Sequence, residues 1–237
     1  MIEFDTLCYL QNQKTGCTFV ESFLREHCRE DIWRYEKHRA PRVRKPNKFY
    51  FVNVREPLET YLSLFNYGLD GKGELLGRLS AAGKRDLYAR GLDGFCDWLE
   101  AVLDERNAPL IYPAGAVSLA SCLGLVSFRY LRLAAFGLEN AACELESRNA
   151  VSTFALQHQM VNATVRYESL RDDLATLFSG PLRHTLRDPD LAMAWLNDAP
   201  KVNTSQRRDH RTAPVLPKAL TTRLREREWY LFLNFYS

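Results

Sequence analysis

The sequence predicts an α/β fold: a P-loop-like parallel sheet flanked by helices, with a helical insert in the middle of the chain. Three observations lead there. Residues 5–10 form a short apolar, β-prone run that breaks at polar residues 11–16, and helical spacing takes over from Thr18. Strand-like Phe49–Val54 leads, through Arg55 and Glu56, into a helix opened by Pro57. Strand and helix alternate once more over 164–178, after a long stretch whose pattern is helical.

The elements follow in order. Val20, Phe23, Leu24 and His27 share one face of the first helix, and Leu58, Tyr61, Leu62 and Phe65 repeat that spacing in the second. Residues 68–83 are rich in glycine and charge and read as an exposed loop. From 84 to 160 the pattern is helical, interrupted near Pro109 and Pro113, with Phe95, Trp98, Leu99 and Val102 on one stripe and Phe128, Leu131 and Ala135 on another. After the third strand–helix unit, residues 201–211 are polar and irregular, and an amphipathic helix runs from about Pro217 to the end. We read 1–237 as one domain, with 84–160 as the acceptor-side insert.

A chain of 237 residues, 46% hydrophobic and 26% charged, is long enough to bury a sizeable core. A net charge of +3 does not indicate a nucleic-acid binder, but seven Lys/Arg against one Glu between Arg34 and Lys48 make a local basic run. No apolar run reaches the roughly 18–20 residues of a membrane span, and the first residues lack a signal-peptide pattern. The expected location is the cytoplasm, although a trimmed N-terminal anchor would leave the same sequence. Six cysteines without a C-x-x-C pair suit buried free thiols rather than a metal site.

Two segments carry chemistry. Gln13-Lys14-Thr15-Gly16-Cys17-Thr18 lies between a strand and a helix, where backbone N–H groups and the helix dipole favour an anion. Gly16 permits close approach, Lys14 adds charge, and the threonines add hydroxyls. The spacing is not that of an NTP-binding P-loop. Arg55 leaves the end of the second strand, where its fork can grip a phosphate, and Ser63 follows eight residues later on the polar side of the next helix.

In that order the two segments resemble the PAPS-dependent sulfotransferases, especially the carbohydrate and Golgi-type branch and its bacterial relatives. The resemblance implies that residues 13–19, including Lys14, Thr15, Gly16, Cys17, Thr18 and Phe19, bind the 5′-phosphosulfate. It implies that Arg55 and Ser63 bind the 3′-phosphate, within Val54-Arg55-Glu56-Pro57 and the following helix. Weaker similarity puts Tyr167 near the adenine, makes Asn203 and Ser205 the start of a cofactor-covering loop, and makes residues 228–232 a closing helix. Arg207 and Arg208, with Arg211, are candidates to close over the phosphates. Gln13 stands where the family has proline, and Phe19 where a small hydroxyl residue is common.

The implied reaction is sulfuryl transfer from PAPS, yielding PAP, to an acceptor hydroxyl of a saccharide or glycan, with no metal required. Lys14 would stabilise the leaving phosphate. His38 is the candidate base among His27, His38, His158, His184 and His210, with Glu36 as the alternative. Glu21 reads as a partner of Arg25, and His27 as a packed side chain. Trp33 is either a core residue or, with Tyr35, a stacking surface for sugar rings. A nucleotide kinase or NTPase, and an inactive module that binds PAP or a glycan, are the competing readings.

Overall fold

The computed structural model describes residues 1–200 and 214–236. The first half of the chain runs β1 (Ile2–Glu3), β2 (Leu7–Leu10), α1 (Cys17–His27), β3 (Arg34–Tyr35), β4 (Phe49–Val54), α2 (Pro57–Leu69), α3 (Glu74–Ala81) and α4 (Phe95–Leu103). Then come α5 (Ala108–Ile111), α6 (Leu125–Ala134), α7 (Leu138–Ala141) and α8 (Arg148–Gln157). The chain returns through β5 (Ala163–Arg166), α9 (Leu170–Ser179) and α10 (Pro189–Asp198), and ends on α11 (Lys218–Arg227) and α12 (Trp229–Phe235).

The described residues divide into two compact units: 1–55, 133–136 and 159–200 in the first, and 56–132, 137–158 and 214–236 in the second. The helical second unit thus begins well before the insert expected from residue 84.

The first unit holds the sheet, in the order β3-β1-β2-β4-β5. Strands β2, β4 and β5 are parallel, with Leu10 opposite Val52 and Val54 opposite Arg166. β1 is antiparallel to both β2 and β3, so the fold is α/β with a mixed sheet rather than a wholly parallel one. The reason is local. Residues 1–10 fold back on themselves, with Phe4 N–H bonded to Leu7 O, and β1 and β3 are two residues each, too short to show a period. All four residues of β2 are buried, as expected of a strand covered on both faces. Tyr9, Phe51, Phe23, Phe178 and Val165 lead the core between sheet and helices.

Part of the basic run is structural. Lys48 is buried, its ammonium 2.8 Å from Glu3 and hydrogen-bonded to Phe4 O. Trp33 lies on the surface rather than in the core, 49% exposed. Its indole donates to Phe4 O at 3.0 Å, and the Lys45 ammonium sits 4.3 Å from its ring centre. His27 is packed, as the apolar spacing predicts, against Phe23 and Trp195. The six cysteines are unpaired, and burial pushes the Cys8 and Cys28 thiols up to about 12.

The second unit has its own aromatic core, with Trp98 in contact with Tyr61, Phe65, Tyr88 and Phe95. Its charged centre is Glu228, fully buried between α11 and α12. The carboxylate accepts from Tyr61 Oη at 2.5 Å, Val126 N at 3.1 Å and Ser127 N at 2.7 Å, so it caps the N-terminus of α6. Gly124 N–H donates to Arg227 O at 2.7 Å, and a β-carbon there would sit 2.2 Å from Glu228 Oε1. Among the described residues no single helix is long and apolar enough to cross a membrane.

Three substitutions test these contacts. Glu228→Ala orphans a hydroxyl and two amides, and should cost about 3 kcal/mol or more by urea unfolding; Gly124→Ala should destabilise through the same clasp. Burial holds His27 below its ordinary pKa, against Glu26 and Asp188 and in line with Arg187. The unfolded chain therefore binds the extra proton first as pH falls. Stability is full above about pH 6.5 and declines below it, and His27→Leu should flatten that decline between pH 7 and 5.

Candidate active site

The site is built on the turn from β2 to α1. Lys14 has φ +64° and Gly16 φ +84°, both left-handed, so the chain wraps around the start of α1. A lysine in that region carries strain of about 1–2 kcal/mol, and buried polar bonds hold it there. Asn12 Nδ2 donates to Asn53 O at 3.2 Å, Asn53 Nδ2 donates to Thr15 O at 2.9 Å, and Thr15 Oγ1 donates to Asn12 O at 2.9 Å. The loop is thereby clasped to β4, the strand that delivers Arg55.

Helix α1 begins at Gly16 with no side-chain cap and no acidic residue in its first turn. An uncapped, carboxylate-free helix start is the arrangement that favours an anion. Arg55 Nη1 donates to Lys14 O at 3.4 Å, and the Arg55 guanidinium lies 4.3 Å from the Tyr167 ring centre. Tyr167, 39% exposed just beyond β5, is fixed by its N–H to Val54 O at 2.8 Å. A β-carbon at Gly16 would meet Leu170 at 2.9 Å and Tyr167 at 3.0 Å, so glycine is required here for both conformation and space. Lys14, Gly16, Arg55 and Tyr167 are therefore one constellation in the first unit.

Two residues of the expected phosphate loop take other roles. The Thr15 side chain is buried and its hydroxyl is used on Asn12 O, so only its backbone remains a candidate donor. The Phe19 ring is in the core, 5.2 Å from Trp195, and its N–H returns to Gly16 O. Cys17 and Thr18 are half-buried at the helix start, and burial raises the Cys17 thiol against the pull of Lys37 and Lys14. Ser63 stands half-buried on α2, in the second unit. Asn203, Ser205, Arg207, Arg208, His210 and Arg211 lie outside the described residues.

His38 reaches the same loop. Its backbone is left-handed at φ +61°, and its Nδ1 is 3.0 Å from Gln11 O, the first carbonyl after β2. In a neutral ring, Nδ1–H donation to that carbonyl puts the basic lone pair on Nε2. Glu36 accepts from Arg34 Nε at 3.0 Å and Nη2 at 2.8 Å. These bonds hold its carboxyl below the usual range and make it the weaker base. His184 is exposed, and His158 stacks on Phe154 in the second unit.

Sequence reasoning missed four supporting residues. Glu21 is a hub rather than a partner of Arg25 alone: besides Arg25 it accepts from Gln11 Nε2 at 3.0 Å and Tyr35 Oη at 3.1 Å. Arg171 binds the carbonyls of Leu196, Asn197 and Ala199 at the end of α10 and lies 5.2 Å from the Phe19 ring. Asn12 and Asn53 form the clasp; an asparagine inside the apolar run Phe49–Val54 was the available signal. Among the described residues no group of three His, Cys, Asp or Glu is arranged to hold a metal ion.

Compared with known protein families, curated proteins and solved structures, the chain matches none.

Asn53→Leu removes one donor and leaves Thr15 O buried without it. It should cost about 2 kcal/mol in urea unfolding and weaken anion binding at the loop, read as lost thermal stabilisation by pyrophosphate.

Proposed function

We propose that the chain is a sulfotransferase that moves the sulfuryl group of PAPS to an acceptor hydroxyl on a saccharide. The observation that supports this reading best is the linkage of its two anion-directed segments. Arg55, at the end of β4, donates to the carbonyl of Lys14 and stacks on Tyr167, while the loop they share opens on an uncapped helix N-terminus. A nucleotide with phosphates at both ends and an aromatic base suits two cations and an exposed tyrosine better than a single inorganic anion does.

PAPS supplies a sulfuryl group bonded to a phosphate that departs with negative charge. Lys14 and the amides of residues 15–18 are the groups that would hold the 5′-phosphosulfate, Arg55 the 3′-phosphate, and Tyr167 the adenine; Ser63 is carried by the resemblance alone. Asn203, Ser205, Arg207 and Arg208 extend that set on resemblance alone. As the S–O bond to the acceptor forms and the S–O bond to phosphate breaks, a fixed Lys14 charge stabilises the oxygen that gains charge. His38 Nε2 takes the acceptor proton, with Nδ1 anchored on Gln11 O to keep the tautomer.

The kinase or NTPase reading fares worse, because the hydroxyl after Lys14 is turned into the loop onto Asn12 O and away from any magnesium role. A binding module without catalysis would not need a histidine held in a left-handed conformation at the loop root.

Thermal denaturation with PAP, in EDTA, tests the donor site: PAP should stabilise the chain without magnesium, and no shift at millimolar PAP overturns the assignment. With PAPS and a panel of saccharide acceptors, Lys14→Ala should lower transfer about 10²–10³-fold. His38→Asn should lower it about 10²–10⁴-fold and abolish the fall in rate on the acid side. A His38→Asn enzyme that keeps that acid limb removes His38 as base.

A further inference from the structure

The basic segment after β3 runs from the Lys14 end of the sheet to the opposite end. β3 is antiparallel to β1, and β1 to β2, so β3 finishes at the same edge as β2. The chain must then return to the other edge, where β4 starts at Phe49. Both ends of this return are fixed. At the near end, Glu36 N–H donates to Met1 O at 2.9 Å, and His38 Nδ1 lies 3.0 Å from Gln11 O. At the far end, Lys45 N–H donates to Tyr50 Oη at 2.9 Å, and the Lys45 ammonium sits 4.3 Å from the Trp33 ring centre. Pro41 and Pro46 restrict the backbone within the segment.

The segment carries charge that the fold does not use. Residues 37–48 contain no Asp or Glu. Lys48 is taken by Glu3, with Lys45 3.7 Å from the same carboxylate, and Glu36 accepts from Arg34. Lys37, Arg39, Arg42 and Arg44 are exposed and form no ion pair among the described residues. Arg39 and Arg42 help to hold the Glu36 carboxyl down, but one carboxylate already bonded to Arg34 does not balance them. Lys37 acts together with Lys14 on the Cys17 thiol, which places its charge towards the start of α1. Like charges on a restrained segment repel, a cost that an anion would remove. Trp33 adds a platform: its indole N–H is used on Phe4 O, which fixes a ring that stays 49% exposed. A fixed, half-exposed ring beside a cation suits the apolar face of a sugar that also bears an acid group.

We propose that the acceptor is an acidic saccharide chain, with its carboxylate or sulfate groups along Lys37, Arg39, Arg42 and Arg44, one ring on Trp33 and a hydroxyl at His38. The inference rests on the sulfotransferase reading and narrows it, from any saccharide to one already carrying negative charge. Trp33 to Lys37 spans about 13 Å of extended chain, so the ligand covers several sugar units.

Calorimetric titration of the full chain with three hexasaccharides tests it: one neutral, one with alternating uronic acids, and one sulfated. The acidic chains should bind at least about tenfold tighter than the neutral one, and more weakly as salt rises. The tighter of the two acidic chains identifies the group that the cations take. Arg39→Gln/Arg42→Gln/Arg44→Gln should weaken acidic binding about tenfold, while lysines at the same positions keep most of it. Arg42→Glu alone should also weaken it, since a repulsion replaces an attraction, and serves where the triple variant does not fold. PAP should stabilise the triple glutamine variant as it does the native chain, because the donor loop is untouched. A native chain that ignores PAP yet binds the acidic saccharide through these arginines removes the donor reading and keeps the saccharide site. The inference is overturned if the neutral hexasaccharide binds as tightly, if the arginine variants bind as the native chain does, or if single-stranded DNA of equal charge binds as well as the saccharide.

Discussion

The clasp between Asn12, Thr15 and Asn53 is the constraint on which the first unit's chemistry rests. A turn that puts a lysine in the left-handed region does not hold itself. It needs bonds from outside the turn, and β4 supplies them through the side chain and carbonyl of one buried asparagine. Those bonds lie where water does not compete, so each is electrostatically stronger than on the surface. Arg55 follows Asn53 by two residues, just past the end of β4, and reaches the same loop. Gln11 O, one residue before the clasp, holds His38. Loop, arginine and histidine therefore take their positions from one set of contacts.

Charge in this chain is meaningful by location and not by total. The excess of three positive charges says little, and even the basic run 34–48 is not one surface. Lys48 serves the fold by pairing with Glu3, and Arg34 is used on Glu36. What remains exposed is Lys37 and Arg39, in alternation with half-buried neighbours, and Arg42, Arg44 and Lys45 in the exposed stretch 42–47. A linear count merges these roles because it cannot know which lysine the short antiparallel strand β1 will meet.

Much of the sheet was legible for a simple reason: β2 and β4 are apolar runs of four to six residues bounded by turn residues. β1 and β3 were not, since two residues carry no period and their pairing is decided by the chain folding back. At the site, Lys14, Gly16 and Arg55 were legible because charge and glycine at a strand end have few other uses. The Phe19 side chain packs in the core because a phenylalanine two residues into an amphipathic helix belongs with the face it shares, whatever its position in a motif. Glu21 and Arg171 were hidden because their partners are distant in sequence or are backbone carbonyls, which leave no trace in composition.

The second unit offers its own comparison. Glu228 and Arg129 are both buried charges, and both bear on α6. Glu228 is accounted for: two amides and a hydroxyl surround it, it sits at the positive end of the helix, and glycine at 124 gives it room. A fold that provides one buried carboxylate with three donors is able to satisfy a charge when stability is the purpose. On the same helix it leaves a guanidinium nitrogen without any acceptor. Burial alone therefore does not decide how a charge is held on α6; the donors placed around Glu228 do.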